Sequence, residues 1–336
     1  MKRGISIILL GAAFIPFSSG LLSAQVVFSD NFDALAGSPI TVTASGLADN
    51  YNVNMASTDN RVIFGYDYSV ANLGIPSAPN SSGGTQTGVR LDANRTAGVI
   101  SSLTISPTAT FPGNFTLQFD MWLNSVGPFP AGGTSSSENL TAGVGYNGTT
   151  FQSSTSGSGI WFSVTGDGGF SGTSLTPDYH ARIGTTLQAT NSGVYAAGTT
   201  PGATGSSVDN ANAYYTSRFP GQAPPAAQTS NFASQTGTAA NGSMLFKWHT
   251  VQITRTGTTV TWSIDNNLIA TVNNAAATAT DAIDIGFWDP AASSATSGLV
   301  FGVVDNITVT SIPEPSALAL VAVAGSMIAM LRRKKA

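Results

Sequence analysis

The chain has 336 residues and a formal net charge of −4; only 9% of its residues are charged and 42% are hydrophobic. Six of its thirteen Lys and Arg lie in the two ends, so residues 25–311 keep seven cations against sixteen acids, a net charge of −9. An acidic body without cysteine excludes a basic nucleic-acid surface, a disulfide framework and a thiolate metal site, and a hydrophobic core or a bound metal must hold the fold.

The N-terminal segment 1–24 reads as a secretory signal peptide. Lys2 and Arg3 form a basic start, Ile5 to Phe17 is apolar, and Leu22-Ser23-Ala24 offers small residues for cleavage before Gln25. An uncleaved anchor is the alternative. Immediately afterwards come Asp30 and Asp33, and Asp305 stands near the end of the body. First and last strands of a sandwich are often neighbours, so these three aspartates are candidate hard-oxygen ligands for a structural calcium ion. Turn capping by Asp30 and Asp33 is the competing account.

Residues 25–311 read as β almost throughout. Phe115, Leu117, Phe119, Met121 and Leu123 alternate with Thr116, Gln118, Asp120 and Trp122, a period of two that puts five large apolar groups on one face. Further strands are expected at 61–66, 98–105, 160–164, 247–255, 259–264, 268–272, 282–288 and 299–310, each β-branched or aromatic and bounded by turn residues. No amphipathic helix is evident. The stretches 76–87, 127–159 and 189–243 are dominated by Gly, Ser, Thr, Ala, Asn and Pro and read as long surface loops.

Two hairpins follow from turn chemistry. Thr256-Gly257-Thr258 joins the strand ending at Arg255 to 259–264, and Asp265-Asn266-Asn267 joins that strand to 268–272. The series Trp248-His249-x-Val251-x-Ile253-x-Arg255, then Val260-x-Trp262-x-Ile264-Asp265, resembles the concanavalin A-like and laminin G-like jelly rolls. The likeness is best over 245–310. It implies an all-β, antiparallel β-sandwich with long Gly/Ser/Thr-rich loops.

Catalytic patterns fare poorly. Gly143-Val144-Gly145-Tyr146-Asn147-Gly148 has the spacing of a dinucleotide loop but lacks a following helix, so a Gly-rich turn is expected. The two histidines, His180 and His249, have no ligand-spaced companions. Jelly rolls host glycosidases and lyases, yet Glu138 is the only glutamate of the body, with Asp120, Asp167 and Asp178 as substitutes. The paired acidic strand motif of laminarinase-like hydrolases is missing, so no catalytic residue is assigned and a carbohydrate-active enzyme stays the alternative. Trp122, Trp161 and Trp288 are candidate stacking surfaces for sugar rings, ordinary core packing being the competing account. The body is expected to serve structure or adhesion, with glycan binding as one means and an extracellular polysaccharide as the corresponding partner.

The tail has three parts in order: Pro313-Glu314-Pro315, an uncharged run from Ser316 to Leu331, and Arg332-Arg333-Lys334-Lys335. As a helix the run is roughly 24 Å long, a little short of a bilayer's hydrocarbon core, and its trailing cations would stay cytoplasmic. The prolines keep the approach to it extended. These residues, 312–336, resemble the PEP-CTERM sorting signal of Gram-negative, exopolysaccharide-producing bacteria. The resemblance implies an exosortase as processing partner, recognition through Pro313, Glu314 and Pro315, passage through the inner membrane, and delivery to the cell surface or extracellular matrix.

Overall fold

The computed structural model describes residues 23–69, 73–130, 139–165, 178–200, 205–291 and 298–314. Its strands are Gln25–Asp30 (β1), Ile40–Val42 (β2), Gly46–Ala48 (β3), Tyr51–Met55 (β4), Arg61–Asp67 (β5), Thr87–Asp92 (β6), Ser101–Pro107 (β7), Phe115–Asn124 (β8) and Asn139–Tyr146 (β9). After these come Ile160–Thr165 (β10), Tyr179–Ile183 (β11), Thr186–Leu187 (β12), Trp248–Thr256 (β13), Thr259–Ile264 (β14), Asn267–Asn273 (β15), Ala282–Asp289 (β16) and Phe301–Ser311 (β17).

The first sheet runs β15-β14-β13-β8-β17-β6-β5-β2, with β1 added alongside β17; the second runs β12-β11-β10-β9-β16-β7-β4-β3. The strand pairs are antiparallel, so the architecture is an antiparallel β-sandwich. Between the sheets lies the core. Phe119, Met121, Val251 and Trp262 of the first sheet meet Leu140, Ala142, Phe162 and Val164 of the second around a gap of only about 10 Å³. Phe162 stacks on Trp262 across it, ring centroids 5.2 Å apart. The alternation along β8 supplies Phe115, Leu117, Phe119, Met121 and Leu123 to the core, all 2% exposed or less.

Both expected hairpins are present. Asp265 and Asn266 have φ of 49° and 62°, the left-handed pair that matches the twist of the strands they join. The strand pairing β8-β13-β14-β15 then places the meander at one side of the first sheet.

Three expectations need correction. Residues 139–146 form strand β9 rather than part of a loop, because Leu140, Ala142 and Val144 face the core while Asn139, Thr141 and Gly143 alternate with them. The Gly143–Tyr146 stretch is accordingly in a strand, and of the expected Gly-rich turn only its end forms, where Gly148 has φ of 82° and Asn147 Oδ1 accepts the Thr149 amide. Two short helices, Ala213–Thr216 and Ala226–Asn231, interrupt the long stretch 189–243; Asn212 caps the first by accepting the amide of Tyr214.

Gln25–Ile312 form one compact unit. Met1–Ala24 with Pro313–Ala336 belong to another, of which only residues 23, 24, 313 and 314 are described. The signal-peptide reading, the apolar run 316–331 and the cations Arg332, Arg333, Lys334 and Lys335 thus fall outside the described residues, as does Pro315. Among the described residues no helix is long and apolar enough to cross a membrane.

Candidate functional site

In the second sheet, every long strand alternates apolar and polar residues. Leu140, Ala142, Val144, Phe162, Val164, Ile283, Ile285 and Phe287 turn to the core, so period two sends the residues between them to the opposite face. That face carries Asn139, Thr141 and Gly143 on β9, Trp161 and Ser163 on β10, His180 and Arg182 on β11, and Asp284 and Trp288 on β16. Register aligns them in rows: Arg182, Trp161, Gly143 and Asp284 in one, His180, Ser163, Thr141 and Gly286 in the next.

This polar face is buried. Asp284, Trp161, His180 and Thr141 have no exposed surface, Ser163 and Trp288 have 1%, and Arg182 has 4%. Part of the cover is residues 147–158, anchored where the Gln152 amide donates to Thr104 Oγ1 (3.1 Å) and Ser102 Oγ donates to the Gln152 carbonyl (2.7 Å). A Cβ on Gly157 would lie 2.9 Å from Trp161 Nε1, so the segment passes directly over that indole.

The aromatic and cationic groups form one assembly. The Trp161 and Trp288 rings meet edge to face with centroids 6.1 Å apart, and His180 meets Trp288 in the same way at 5.6 Å. The Arg182 guanidinium lies 5.5 Å from the Trp161 centroid and 5.6 Å from that of Trp288. Its Nη1 donates to the Thr185 carbonyl at 2.7 Å, and Trp161 Nε1 donates to the Gly184 carbonyl at the same distance. Gly143 creates the space: a Cβ there would stand 2.7 Å from the Trp161 Cβ and 2.8 Å from Asp284 Oδ1.

Several polar atoms here have no hydrogen-bond partner: both Asp284 carboxylate oxygens, Thr141 Oγ1, Ser163 Oγ, Arg182 Nε and Trp288 Nε1. A buried polar group left unsatisfied costs about 1–3 kcal/mol, so such a concentration calls for ordered water or a bound polar molecule. Burial pushes the Asp284 carboxyl up to about 7, against a smaller downward pull from the neighbouring Gln152 amide. Near neutrality this carboxyl exchanges between hydrogen-bond donor and acceptor. Burial likewise pulls the Arg182 guanidinium below its ordinary value, partly offset by Tyr195.

The sequence-predicted residues divide between sites. Trp161 and Trp288 come together, whereas Trp122 lies on the other sheet, 1% exposed and packed against Trp248 at 5.9 Å. None of the three offers a bare face to solvent, which corrects the picture of an open stacking platform: strand parity put Trp122 on the polar side, but chain segments beyond the sheet cover it. The histidines also separate, His249 Nδ1 lying 2.8 Å from Asp265 Oδ2 on the first sheet.

The calcium expectation is met only in its topology. β1 does pair with β17, Asp30 lying opposite Ile307. Each of the three carboxylates already accepts hydrogen bonds from the protein, while Asp33 Oδ1 has no partner. Asp30 accepts from the Phe32 amide and the Tyr51 hydroxyl, both at 2.9 Å, and Asp33 accepts from the Asn31 side-chain amide at 2.7 Å. Asp305 accepts from Tyr68 and Ser81 hydroxyls at 3.0 Å and from the Asn306 amide at 2.7 Å. Burial pushes Asp305 up to about 6, and the adjacent Asp120 adds to the rise. Asp120 in turn accepts from Asn80, Thr250 and Asn306. Among the described residues no group of three or more His, Cys, Asp or Glu side chains is placed to hold a metal.

Asp284, Arg182, Thr141 and Ser163 were missed as site residues. The signal was available in the alternation of 282–288, where Asp284 interrupts a core strand, but nothing local marks which polar face becomes enclosed.

No family model matches the sequence, and no curated protein matches it. Solved structures similar to the chain include the carbohydrate-binding module CBM66 from Bacillus subtilis, at 8% identity over 67% of this chain and 87% of that one, with a TM-score of 0.33. Another comes from work on endo-acting O-glycanases of human gut microbiota, at 10% identity over 86% and 100% of the two chains, TM-score 0.40. A third is the exoplasmic/lumenal domain of VIP36 in its Ca2+/Man2-bound form, at 7% identity over 72% and 90%, TM-score 0.36.

Proposed function

We propose that this chain is an exported surface or matrix protein whose β-sandwich binds a glycan on the polar face of its second sheet. The observation that carries this reading is the enclosure of two indoles together with donors, acceptors and hydroxyls that lack partners. Sugars present rings with apolar C–H faces surrounded by hydroxyls that both donate and accept, the complement of such a surface. Ligand access requires residues 147–158 to part from the face they cover. Gly143 stands opposite Asp284 on β9, so that paired position carries no second carboxylate, and the candidate acids Glu138 and Asp167 lie outside the described residues.

Export and sorting rest on the terminal segments. Ala24-Gln25 is the proposed signal cleavage point, Pro313, Glu314 and Pro315 are the proposed exosortase recognition residues, and Arg332–Lys335 hold the tail at the cytoplasmic face until processing.

The test is a glycan array with full-length protein in detergent micelles, run beside an assay for reducing-sugar and unsaturated-uronate release. Saturable binding without release is expected. Release of sugar ends would replace the binding reading with that of a carbohydrate-active enzyme, and the absence of any binding would remove it.

A further inference from the structure

Arg182 differs from the other enclosed arginines. Arg90 is paired with Asp92 at 2.8 Å and Arg255 with Asp281 at 3.2 Å, so each buried guanidinium has its carboxylate. Arg182, at 4% exposure, forms no ion pair among the described residues. Its Nη1 is used by the Thr185 carbonyl, two indole rings flank it, and Nε has no partner. A desolvated cation normally acquires an anion, because removal from water without one is strongly unfavourable.

The free side of the fork also has a shape. With Nη1 engaged, the edge that includes Nε remains, and a guanidinium edge matches a planar carboxylate through two parallel hydrogen bonds. Trp161 and Trp288 flank it and offer a ring face, and the hydroxyls of Ser163 and Thr141 lie in the next row of the same sheet face for ring substituents. Asp284, two strands from Trp161 along the same row, does not oppose an incoming anion while its proton is retained.

Resting on the glycan-binding reading above, we infer that the site selects a sugar bearing a carboxylate, held by Arg182 with its ring against Trp161 and Trp288. The anion supplies the counter-charge that Arg182 lacks among the described residues. Neutral sugars of the same size would meet the indoles and hydroxyls but leave the guanidinium edge unpaired, so they bind more weakly.

The experiment is calorimetric titration of the full-length protein with oligogalacturonate, oligoglucuronate and the carboxyl-reduced neutral form of each. At least one acidic oligomer is expected to bind ten-fold or more tightly than its reduced counterpart. Arg182→Gln should reduce that preference to an acidic-to-neutral affinity ratio of two-fold or less. Arg182→Lys, which keeps the charge and loses the fork, should retain part of it and serves as the variant if the Gln form does not fold. Equal or better binding of the neutral oligomers, or an acid preference that survives substitution of Arg182, overturns the inference and leaves glycan binding standing. If neither class binds, both readings fall.

Discussion

At the scale of single residues, Asp284 dominates. A carboxyl raised from 3.8 to about 7 favours the protonated fold, so the folded state holds a proton that the unfolded chain has released between those values. Stability associated with the group is fully present below pH 4 and is lost as the pH climbs through 7. Asp289 and Asp305, both raised to about 6 chiefly by burial, act with the same sign over a narrower window. Asp265 acts oppositely: the His249 and Thr250 hydrogen bonds hold it below the ordinary range, and its contribution disappears only in stronger acid. The protein should therefore melt higher at pH 5 than at pH 8. Asp284→Asn, which removes the titration while keeping the shape, should stabilise the protein at pH 8 by a few kcal/mol, given about 1.4 kcal/mol per pKa unit. Thermal melts of both forms across pH 5 to 8 check this; an unchanged pH slope in the variant would show that Asp284 is not the group responsible.

Among the elements, β9 shows how a strand can escape notice and still organise the site. Two of its eight residues are glycine, and Asn139, Thr141 and Ala142 are equally at home in loops, so composition concealed the apolar period of Leu140, Ala142 and Val144. Gly143 is there for space. A side chain would press on the Ile160 carbonyl and Trp161 Cβ, both 2.7 Å from its Cβ, and on Asp284. Gly143→Ala is expected to destabilise by about 1–3 kcal/mol through overpacking. Urea titration should show the midpoint fall with the slope retained, and near-ultraviolet circular dichroism should report the displaced Trp161. A midpoint at the wild-type value would mean that β9 and β10 separate freely. By contrast β8, β13, β14 and β15 were legible because long apolar side chains alternate without interruption and Asp265-Asn266 marks its turn unmistakably. What stayed hidden, the pairing of Trp161 with Trp288 and the isolation of Arg182, depends on cross-strand neighbours up to 127 positions apart in the chain, the separation of Trp161 from Trp288. Local pattern holds no record of such distances.

Over the whole molecule, charge and length connect the fold to its destination. A body of net charge −9 gains nothing from an anionic membrane surface, so on the proposed export route any retention at the membrane would fall to the tail. The tail's sixteen uncharged residues, Ser316 to Leu331, span roughly 24 Å as a helix against a hydrocarbon core of about 30 Å. Such a segment holds a protein only marginally, consistent with a temporary stop during processing. Protein recovered from the surface of producing cells is thus expected to begin at Gln25 and to end near Pro313–Pro315, having lost Arg332–Ala336. Replacing Glu314 by Ala should leave the tail in place and move the protein to the membrane fraction. Intact-mass spectrometry of both forms decides the matter: a wild-type C-terminus that still carries Arg332–Ala336 contradicts processing, because the positively charged end cannot follow the body across the membrane without being cut away.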